Sequence, residues 1–184
     1  MPPNGNLKRA VFLDRDGVIN QSLVLEGRPH SPREINHLKI LAGVKDAVSI
    51  LHDHGFITVV VTNQPDVARG YLTIELVSSM HSEISKATGL QNFYSCFHDD
   101  KDNCECRKPN IGLMRKAAWD LDLAISKSFM VGDRWKDIEA GQKAGCRCFF
   151  IDNNYTERRP MPPFHTVTSL LEAANIIVKG KNAK

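Results

Sequence analysis

The 184-residue sequence lacks any long hydrophobic run and any strong excess of one charge. Its apolar runs, such as residues 57–61, are far too short to span a bilayer, and residues 1–9 lack the apolar segment of a secretory signal. We therefore expect a cytoplasmic protein without a membrane partner. The net charge is only +3, with no basic block in the body of the chain. This balance disfavours nucleic acid as a partner and suits a small anionic substrate.

Cysteines are also few, and their odd number, five, argues against a disulfide framework. Three of them lie close to a histidine, in the set Cys96, His98, Cys104 and Cys106. Three thiolates and one imidazole are a usual ligand set of a closed, tetrahedral, structural zinc site. The alternative is a group of reduced cysteines beside an incidental histidine. We favour zinc because the acidic segment between His98 and Cys104 is too polar to pack alone.

A candidate strand near the N-terminus ends at two closely spaced carboxylates. Residues 10–13 are apolar without alternation, which favours a parallel strand covered on both faces. Asp14 and Asp16 follow, and Gly17 permits a sharp turn. A strand followed by an Asx turn would give the same pattern. Ligands of open α/β sheets bind outside the carboxyl ends of strands, so both aspartates are candidate functional residues.

Strands and helices alternate along the chain, which predicts an α/β fold with a doubly wound parallel sheet. Strands are expected at 10–13, 57–61, 93–97, 129–131 and 147–151, and helices around 44–51, 74–84, 113–121, 135–144 and from 169 onward. Residues 21–37 and 153–163 are expected to form loops. Because the sequence shows neither an internal repeat nor a linker, we predict a single domain over residues 1–184.

Polar side chains follow three of these strands directly, as Asp14 and Asp16, then Thr62 and Asn63, then Asp133 with Asp137. The carboxyl ends of parallel strands meet at one edge of a sheet, so these side chains should be neighbours. Carboxylates packed together repel one another unless a cation lies between them, and Mg²⁺ prefers oxygen ligands. Lys108 and Thr62 would complete a phosphate pocket in which an aspartate can act as nucleophile.

This pattern resembles the haloacid dehalogenase (HAD) superfamily of aspartate-nucleophile phosphatases. Its four motifs appear in order as Asp14-Arg15-Asp16-Gly17, Thr62, Lys108, and Gly132-Asp133 with Asp137. The resemblance implies a Rossmann-like HAD fold, with Asp14 as the nucleophile that forms an aspartyl phosphate and Asp16 as general acid and base. It implies that Thr62, Asn63 and Lys108 hold the phosphate oxygens. It also implies that Mg²⁺ is held by the Asp14 carboxylate, the Asp16 carbonyl and Asp133, while Asp137 orients Lys108 or the metal shell.

Four segments together resemble one branch of that superfamily. They are the zinc-ligand segment, Thr62-Asn63-Gln64, Ala68-Arg69-Gly70-Tyr71 and Cys106-Arg107-Lys108-Pro109. This uncapped branch contains the D-glycero-D-manno-heptose 1,7-bisphosphate phosphatases and the histidinol phosphate phosphatases. The resemblance implies a Mg²⁺-dependent phosphomonoesterase without a cap domain, acting on a small phosphorylated metabolite. We expect the protein to be a monomer. The candidate substrate-binding residues are Asn63, Gln64, Arg69, Arg107 and Arg134.

The substrate remains open between two members of this branch. Arg69, Arg107 and Arg134 favour a doubly phosphorylated sugar, and hence removal of the C7 phosphate of the heptose bisphosphate. The short spacing between the zinc ligands and the acidic Asp66 favour histidinol phosphate or another small metabolite. A phosphotransferase or mutase of the superfamily usually needs a cap. A non-enzymatic zinc module is a further alternative, but it would leave the strand-end carboxylates without a role and has no basic face for nucleic acid.

Overall fold

The computed structural model of the chain describes residues 7–182, and its strands and helices alternate as expected. The strands are β1 (Ala10–Leu13), β2 (Leu23–Leu25), β3 (Arg28–His30), β4 (Ile57–Asn63), β5 (Asn92–Cys96), β6 (Phe129–Gly132), β7 (Arg147–Ile151) and β8 (His165–Val167). The helices are α1 (Val44–Asp53), α2 (Pro65–Ala68), α3 (Ile74–Thr88), α4 (Gly112–Leu121), α5 (Trp135–Lys143) and α6 (Leu170–Asn182). Residues 1–6 and 183–184 of the predicted domain lie outside the described residues.

A six-stranded parallel sheet in the order β5-β4-β1-β6-β7-β8 forms the centre of the fold. Strand β1 lies inside it, and Leu13 pairs with Val60 of β4 and Val131 of β6. The strands β4, β1 and β6 therefore end side by side. This arrangement confirms the predicted doubly wound α/β sheet and brings the residues after these three strands to one edge.

Helices cover both faces of this sheet, which explains why β1 is apolar at every position. Val11 and Leu13 belong to one core cluster, together with residues of α1 and α6. Phe12 belongs to a second cluster on the opposite face, together with residues of α4 and α5. All four β1 residues are 0% exposed. Burial of a large aliphatic or aromatic side chain contributes about 1.5–3 kcal/mol, so this strand is a rigid support for Asp14.

The segment 21–37 differs from its prediction as a loop. It contains the antiparallel hairpin of β2 and β3 and a short 3₁₀ helix, Ile35–His37. Glu26 and Gly27 connect the strands with positive φ angles of 49° and 74°. Two consecutive positive φ values match a tight hairpin turn, which the sequence signals most clearly when it reads Asn-Gly or Asp-Gly. Glu-Gly is a weaker signal, and both strands are only three residues long.

One further strand was not predicted. Strand β8 falls after the predicted loop 153–163 and pairs in parallel with β7 over three residues only, too few to show a pattern in the sequence. The connection after β1 holds the hairpin, the 3₁₀ helix and α1, and the connection after β4 holds α2 and α3, so neither contains a cap domain within residues 7–182. The described helices include none with the length and apolar character needed to cross a membrane.

Candidate active site

Asp14 lies at the end of β1 and forms an ion pair with Lys108. The Lys108 Nζ is 2.8 Å from Asp14 Oδ1 and 2.6 Å from Asp137 Oδ1. All three side chains are at most 10% exposed. The second Asp137 oxygen, Oδ2, accepts a hydrogen bond from the backbone N–H of Arg134 at 2.9 Å, at the start of α5. Asp137 therefore holds Lys108 against Asp14, one of the two roles that the resemblance implied for it.

Asp133 completes a compact group of carboxylates. Asp14, Asp133 and Asp137 each offer an oxygen within 4.8 Å of the others. Burial and the charge of Asp137 raise the pKa of Asp14 to about 6, although Lys108 opposes the shift. Burial and the charges of Asp14 and Asp137 raise the pKa of Asp133 well above its ordinary value. Three carboxylates and one ammonium leave an excess of buried negative charge, which a divalent cation would relieve.

Burial would lower the pKa of Lys108, but Asp137 and Asp14 outweigh that effect and raise it. Lys108 therefore stays charged and offers a fixed ammonium beside Asp14. Its backbone is fixed as well, because its N–H donates to Asn63 Oδ1 and its carbonyl accepts from Asn63 Nδ2, both at 3.0 Å. Asn63 ends β4, so this strand positions Lys108 across the carboxyl edge of the sheet.

Asp133 is held by residues of the predicted loop 153–163. Asp133 Oδ2 accepts hydrogen bonds from Tyr155 Oη at 2.7 Å and from Asn153 Nδ2 at 3.2 Å. The other oxygen, Oδ1, is buried and has no hydrogen-bond partner among the described residues. Gly17 permits this approach: its φ is +82°, and a Cβ there would lie 1.7 Å from Asp133 Oδ2. An orphaned buried carboxylate oxygen fits a metal ligand.

The Asp16 carboxylate is surrounded by hydrogen-bond donors. Arg15, 0% exposed, donates Nη2 to both Asp16 oxygens at 2.9 Å. Asn20 Nδ2 donates to Oδ1 and Gln64 Nε2 to Oδ2, each at 2.9 Å. Burial would raise the pKa of Asp16, but the charge of Arg15 and these donors hold it below its ordinary value. In the free protein, Asp16 is therefore a carboxylate, the form that a general base requires.

Two predicted site residues lie behind Asp16 rather than at the pocket. Gln64 is 0% exposed and also donates to Thr62 Oγ1 at 2.8 Å. Thr62 is 1% exposed, and neither residue lines the cavity described below. Successive side chains of a strand point to opposite faces, so Asn63 reaches the cavity while Thr62 does not. The side chains of Thr62 and Gln64 thus do not line this cavity, and their roles at the substrate stay predictions.

A cavity of about 220 Å³ opens above Asp14, Asp16 and Lys108. Three predicted cations line it, and each pairs with an acid: Arg69 with Asp99 at 2.6 Å, Arg107 with Asp100 at 2.8 Å, and Arg134 with Glu157 at 2.5 Å. The hairpin adds Arg28 and His30, together with Pro29 between them. Arg28 makes no ion pair within residues 7–182. These hairpin residues could not be predicted at the site, because the sequence of the hairpin predicts a loop.

Comparison with known proteins shows where this site belongs. A HAD-hydrolase-like family model matches residues 105–173, which include Lys108, Asp133 and Asp137. The D-glycero-beta-D-manno-heptose-1,7-bisphosphate 7-phosphatase of Haemophilus ducreyi is 35% identical over 152 residues, covering 76% of this chain and 80% of that protein. The corresponding Thermosynechococcus vestitus phosphatase is 34% identical and covers 81% of each chain. The chain belongs to the heptose-1,7-bisphosphate 7-phosphatase family.

This membership makes the protein a phosphatase of the HAD superfamily, as the sequence motifs predicted. Its fold is also similar to a solved structure, the D,D-heptose 1,7-bisphosphate phosphatase of B. bronchiseptica complexed with magnesium and phosphate. The two share 24% identity with a TM-score of 0.82, covering 94% of this chain and 99% of that chain. At this level of identity, the structural similarity supports the fold alone.

The predicted zinc ligands of this phosphatase lie together beside the cavity. The Cys106 sulfur is 3.1 Å from that of Cys96 and 3.4 Å from that of Cys104, and 3.3 Å from His98 Nδ1. A tetrahedral ion with Zn–S bonds of about 2.3 Å has sulfur–sulfur separations of roughly 3.8 Å, somewhat longer than these contacts. All four ligand atoms lie within 4.8 Å of one another, near enough for a single ion. The donor set therefore fits zinc. Burial acts to raise the pKa of Cys104, but hydrogen bonds from Cys106 and from backbone N–H groups lower it to about 7, favouring a thiolate ligand.

The acidic segment between the zinc ligands faces the cavity rim. Asp99 pairs with Arg69, and Asp100 pairs with both Arg107 and Lys136. Hydrogen bonds from Arg69 lower the pKa of Asp99 to about 2, so this pair is ionised at neutral pH. A metal that fixes the segment would thereby fix the cations that border the substrate.

Proposed function

We propose that this phosphatase removes the C7 phosphate of D-glycero-D-manno-heptose 1,7-bisphosphate with Mg²⁺ and through an aspartyl phosphate on Asp14. The observation that carries the proposal is the pairing of the Asp14 carboxylate with buried Lys108 at the floor of a cation-lined cavity. The family relatives above are named for this bisphosphate. Lys108 offsets charge on Asp14 and on the approaching phosphate, so that a carboxylate can attack an anion.

Asp14, Asp133 and the backbone carbonyl of Asp16 would hold the Mg²⁺. When bound, the ion supplies positive charge to the carboxylates and to the phosphoryl oxygens. The buried, unpartnered Oδ1 of Asp133 and the excess carboxylate charge support this assignment. One Asp137 oxygen pairs with Lys108 and the other accepts a hydrogen bond from the Arg134 N–H. We therefore assign Asp137 to the positioning of Lys108 rather than to the metal.

The chemistry takes two steps at Asp14. Its carboxylate oxygen attacks phosphorus, the bond from phosphorus to the sugar oxygen breaks, and the alkoxide takes a proton delivered through Asp16. Water then attacks the phosphorus of the aspartyl phosphate, giving its proton to Asp16 and releasing phosphate and the free Asp14 carboxylate. The donors around Asp16 favour the base form, so its acid role requires a proton taken up with the substrate.

Arg28, His30, Arg69 and Arg107 are our candidates for the second phosphate of the substrate, because all four line the cavity. Arg28 is the best placed of the arginines, since its guanidinium has no competing ion pair among the described residues. The alternative substrate, histidinol phosphate, is favoured by Asp66, which is 4% exposed and also lines the cavity. A buried carboxylate suits the ammonium group of that substrate.

We propose in addition that zinc, bound by Cys96, His98, Cys104 and Cys106, has a structural role at the cavity rim. A monomeric state, a cytoplasmic location and a single domain remain predictions.

A substrate panel tests the proposal. Phosphate release should be fastest from the heptose 1,7-bisphosphate, slower from heptose 7-phosphate and from histidinol phosphate, and absent in EDTA. Arg28→Gln should raise KM for the bisphosphate by about tenfold and leave KM for the monophosphate unchanged. The control is Arg159→Gln, because Arg159 pairs with Asp152 on the surface and does not line the cavity. If histidinol phosphate is turned over faster than the bisphosphate, it is the better substrate and the proposed substrate is wrong. Undiminished phosphate release in EDTA would refute the Mg²⁺ requirement.

A further inference from the structure

The loop between β7 and β8 places two hydrogen-bond donors on one oxygen of Asp133. Tyr155 Oη lies 2.7 Å and Asn153 Nδ2 lies 3.2 Å from Asp133 Oδ2. No hydrogen bond of the protein reaches Oδ1 within residues 7–182, although that atom is fully buried. Within the described residues, one oxygen of this carboxylate is therefore hydrogen-bonded and the other is not.

We propose that Tyr155, supported by Asn153, is a positioning residue for the divalent cation: it occupies Oδ2 of Asp133 and thereby leaves Oδ1 as the metal ligand. This inference rests on the proposed Mg²⁺ site and adds to it the residue that orients one of its ligands. Such outer partners of ligating carboxylates fix the ligand orientation and commonly change metal affinity or activity by 10- to 100-fold when removed.

The hydrogen-bond chain around Tyr155 fixes the direction of its proton. Asn153 Nδ2 donates to Tyr155 Oη at 3.1 Å, and Ser22 Oγ lies 3.2 Å from the same oxygen. The phenol has one proton, and Asp133 offers the shortest contact and the only charged acceptor among these partners. Tyr155 therefore donates to Asp133, while Asn153 and the Ser22 hydroxyl can both donate to Tyr155.

Close packing keeps the Asp133 carboxylate from turning. Its Oδ2 lies against Gly17, where even a Cβ would come within 1.7 Å. Asn153 joins the two groups, since the same Nδ2 also lies 3.1 Å from the Gly17 carbonyl oxygen. Gly17 directly follows the proposed carbonyl ligand Asp16, so the loop aligns two parts of the metal site together.

The test measures Mn²⁺ binding to the zinc-loaded enzyme without substrate. The EPR signal of free Mn²⁺ gives the Mn²⁺ affinity, and competition with Mg²⁺ gives the Mg²⁺ affinity. Tyr155→Phe should weaken Mn²⁺ and Mg²⁺ binding by about tenfold and raise the Mg²⁺ concentration for half-maximal activity equally. At saturating Mg²⁺, kcat and the substrate KM should stay within about twofold of the wild-type values. Asn153→Ala should change metal affinity in the same direction by a smaller factor.

Tyr94→Phe is the matched control, because its hydroxyl donates at 3.1 Å to Asp120, a carboxylate outside the cavity. That variant should bind Mn²⁺ like the wild type. The melting temperature of the zinc-loaded enzyme without added Mn²⁺ or Mg²⁺ separates misfolding from a binding defect, and Asn153→Ala serves if Tyr155→Phe does not fold. Unchanged metal affinity in a folded Tyr155→Phe or Asn153→Ala variant would overturn the inference. Failure of the wild type to bind Mn²⁺ or Mg²⁺ would instead overturn the proposed metal site itself.

Discussion

Replacing Lys108 with methionine removes the buried ammonium that lies between Asp14 and Asp137. The Lys108 Nζ is 2.8 Å from the Asp14 carboxylate and 2.6 Å from that of Asp137, and its side chain is 2% exposed. Removing one partner of a buried ion pair costs about 3–5 kcal/mol because the remaining charge is left without compensation. We therefore expect Lys108→Met to lower the free energy of unfolding of the zinc-loaded protein by about 3 kcal/mol or more at pH 8 without added Mg²⁺.

The pH dependence of this loss has a definite sign. Burial and Asp137 raise the pKa of Asp14 to about 6, while Lys108 opposes them, so removing Lys108 raises that pKa further. When a carboxyl group has a higher pKa in the folded than in the unfolded protein, the protein loses stability as the pH rises from the unfolded to the folded pKa. The deficit of Lys108→Met relative to the wild type should thus be larger at pH 8 than at pH 5.

Urea unfolding at both pH values measures this deficit, and phosphate release at saturating Mg²⁺ measures the catalytic effect. The loss of one charged donor from the phosphate site should lower kcat by about 10²- to 10³-fold. Lys116→Met is the control, since Lys116 is 65% exposed and its pair with Asp120 should contribute less than about 1 kcal/mol. A Lys108→Met enzyme with nearly wild-type stability and kcat would refute the reasoning.

Two other features give predictions. Burial and the charge of Arg15 lower the pKa of His81 to about 4, so the protonation of His81 should contribute a loss of about 3 kcal/mol of stability as the pH falls from 6.5 to 4. His81→Gln cannot titrate and should remove this contribution, so the difference between the two curves of unfolding free energy against pH should change by that amount, whereas parallel curves would contradict the assignment. Cys104→Ala should reduce bound zinc from one equivalent to nearly none by elemental analysis, while Cys146→Ala, outside the ligand group, should keep it. One equivalent of zinc in Cys104→Ala would exclude the site.

The carboxylates of the candidate site could be predicted from the sequence because topology brings them together. Asp14 and Asp133 directly follow β1 and β6, and parallel pairing of these strands leaves little freedom in where they meet. Lys108 could be placed only through the motif that it shares with the HAD superfamily. The zinc ligands were visible because three sulfurs and an imidazole at short spacing have few other uses.

Side-chain directions and loop contacts could not be predicted in this way. Thr62 and Asn63 are consecutive, and nothing in the local sequence shows which of them faces the cavity. Arg28 reaches the cavity because a hairpin of two short strands folds over it, and that hairpin has a weak turn signal. Tyr155 meets Asp133 across 22 residues of sequence, a contact that depends on the packing of a whole loop.

The central claim is that Asp14 takes the phosphoryl group, and a labelling experiment tests it most directly. The substrate preferred in the panel, carrying ³²P in its scissile phosphate, is mixed with Mg²⁺ and the Asp16→Asn enzyme, in which slow hydrolysis should let the intermediate accumulate. After acid quenching and digestion, a base-labile label should appear on the peptide that contains Asp14 and should be absent from an Asp14→Asn, Asp16→Asn double variant. Label retained in the double variant, or turnover by Asp16→Asn without any labelled protein, would contradict the account.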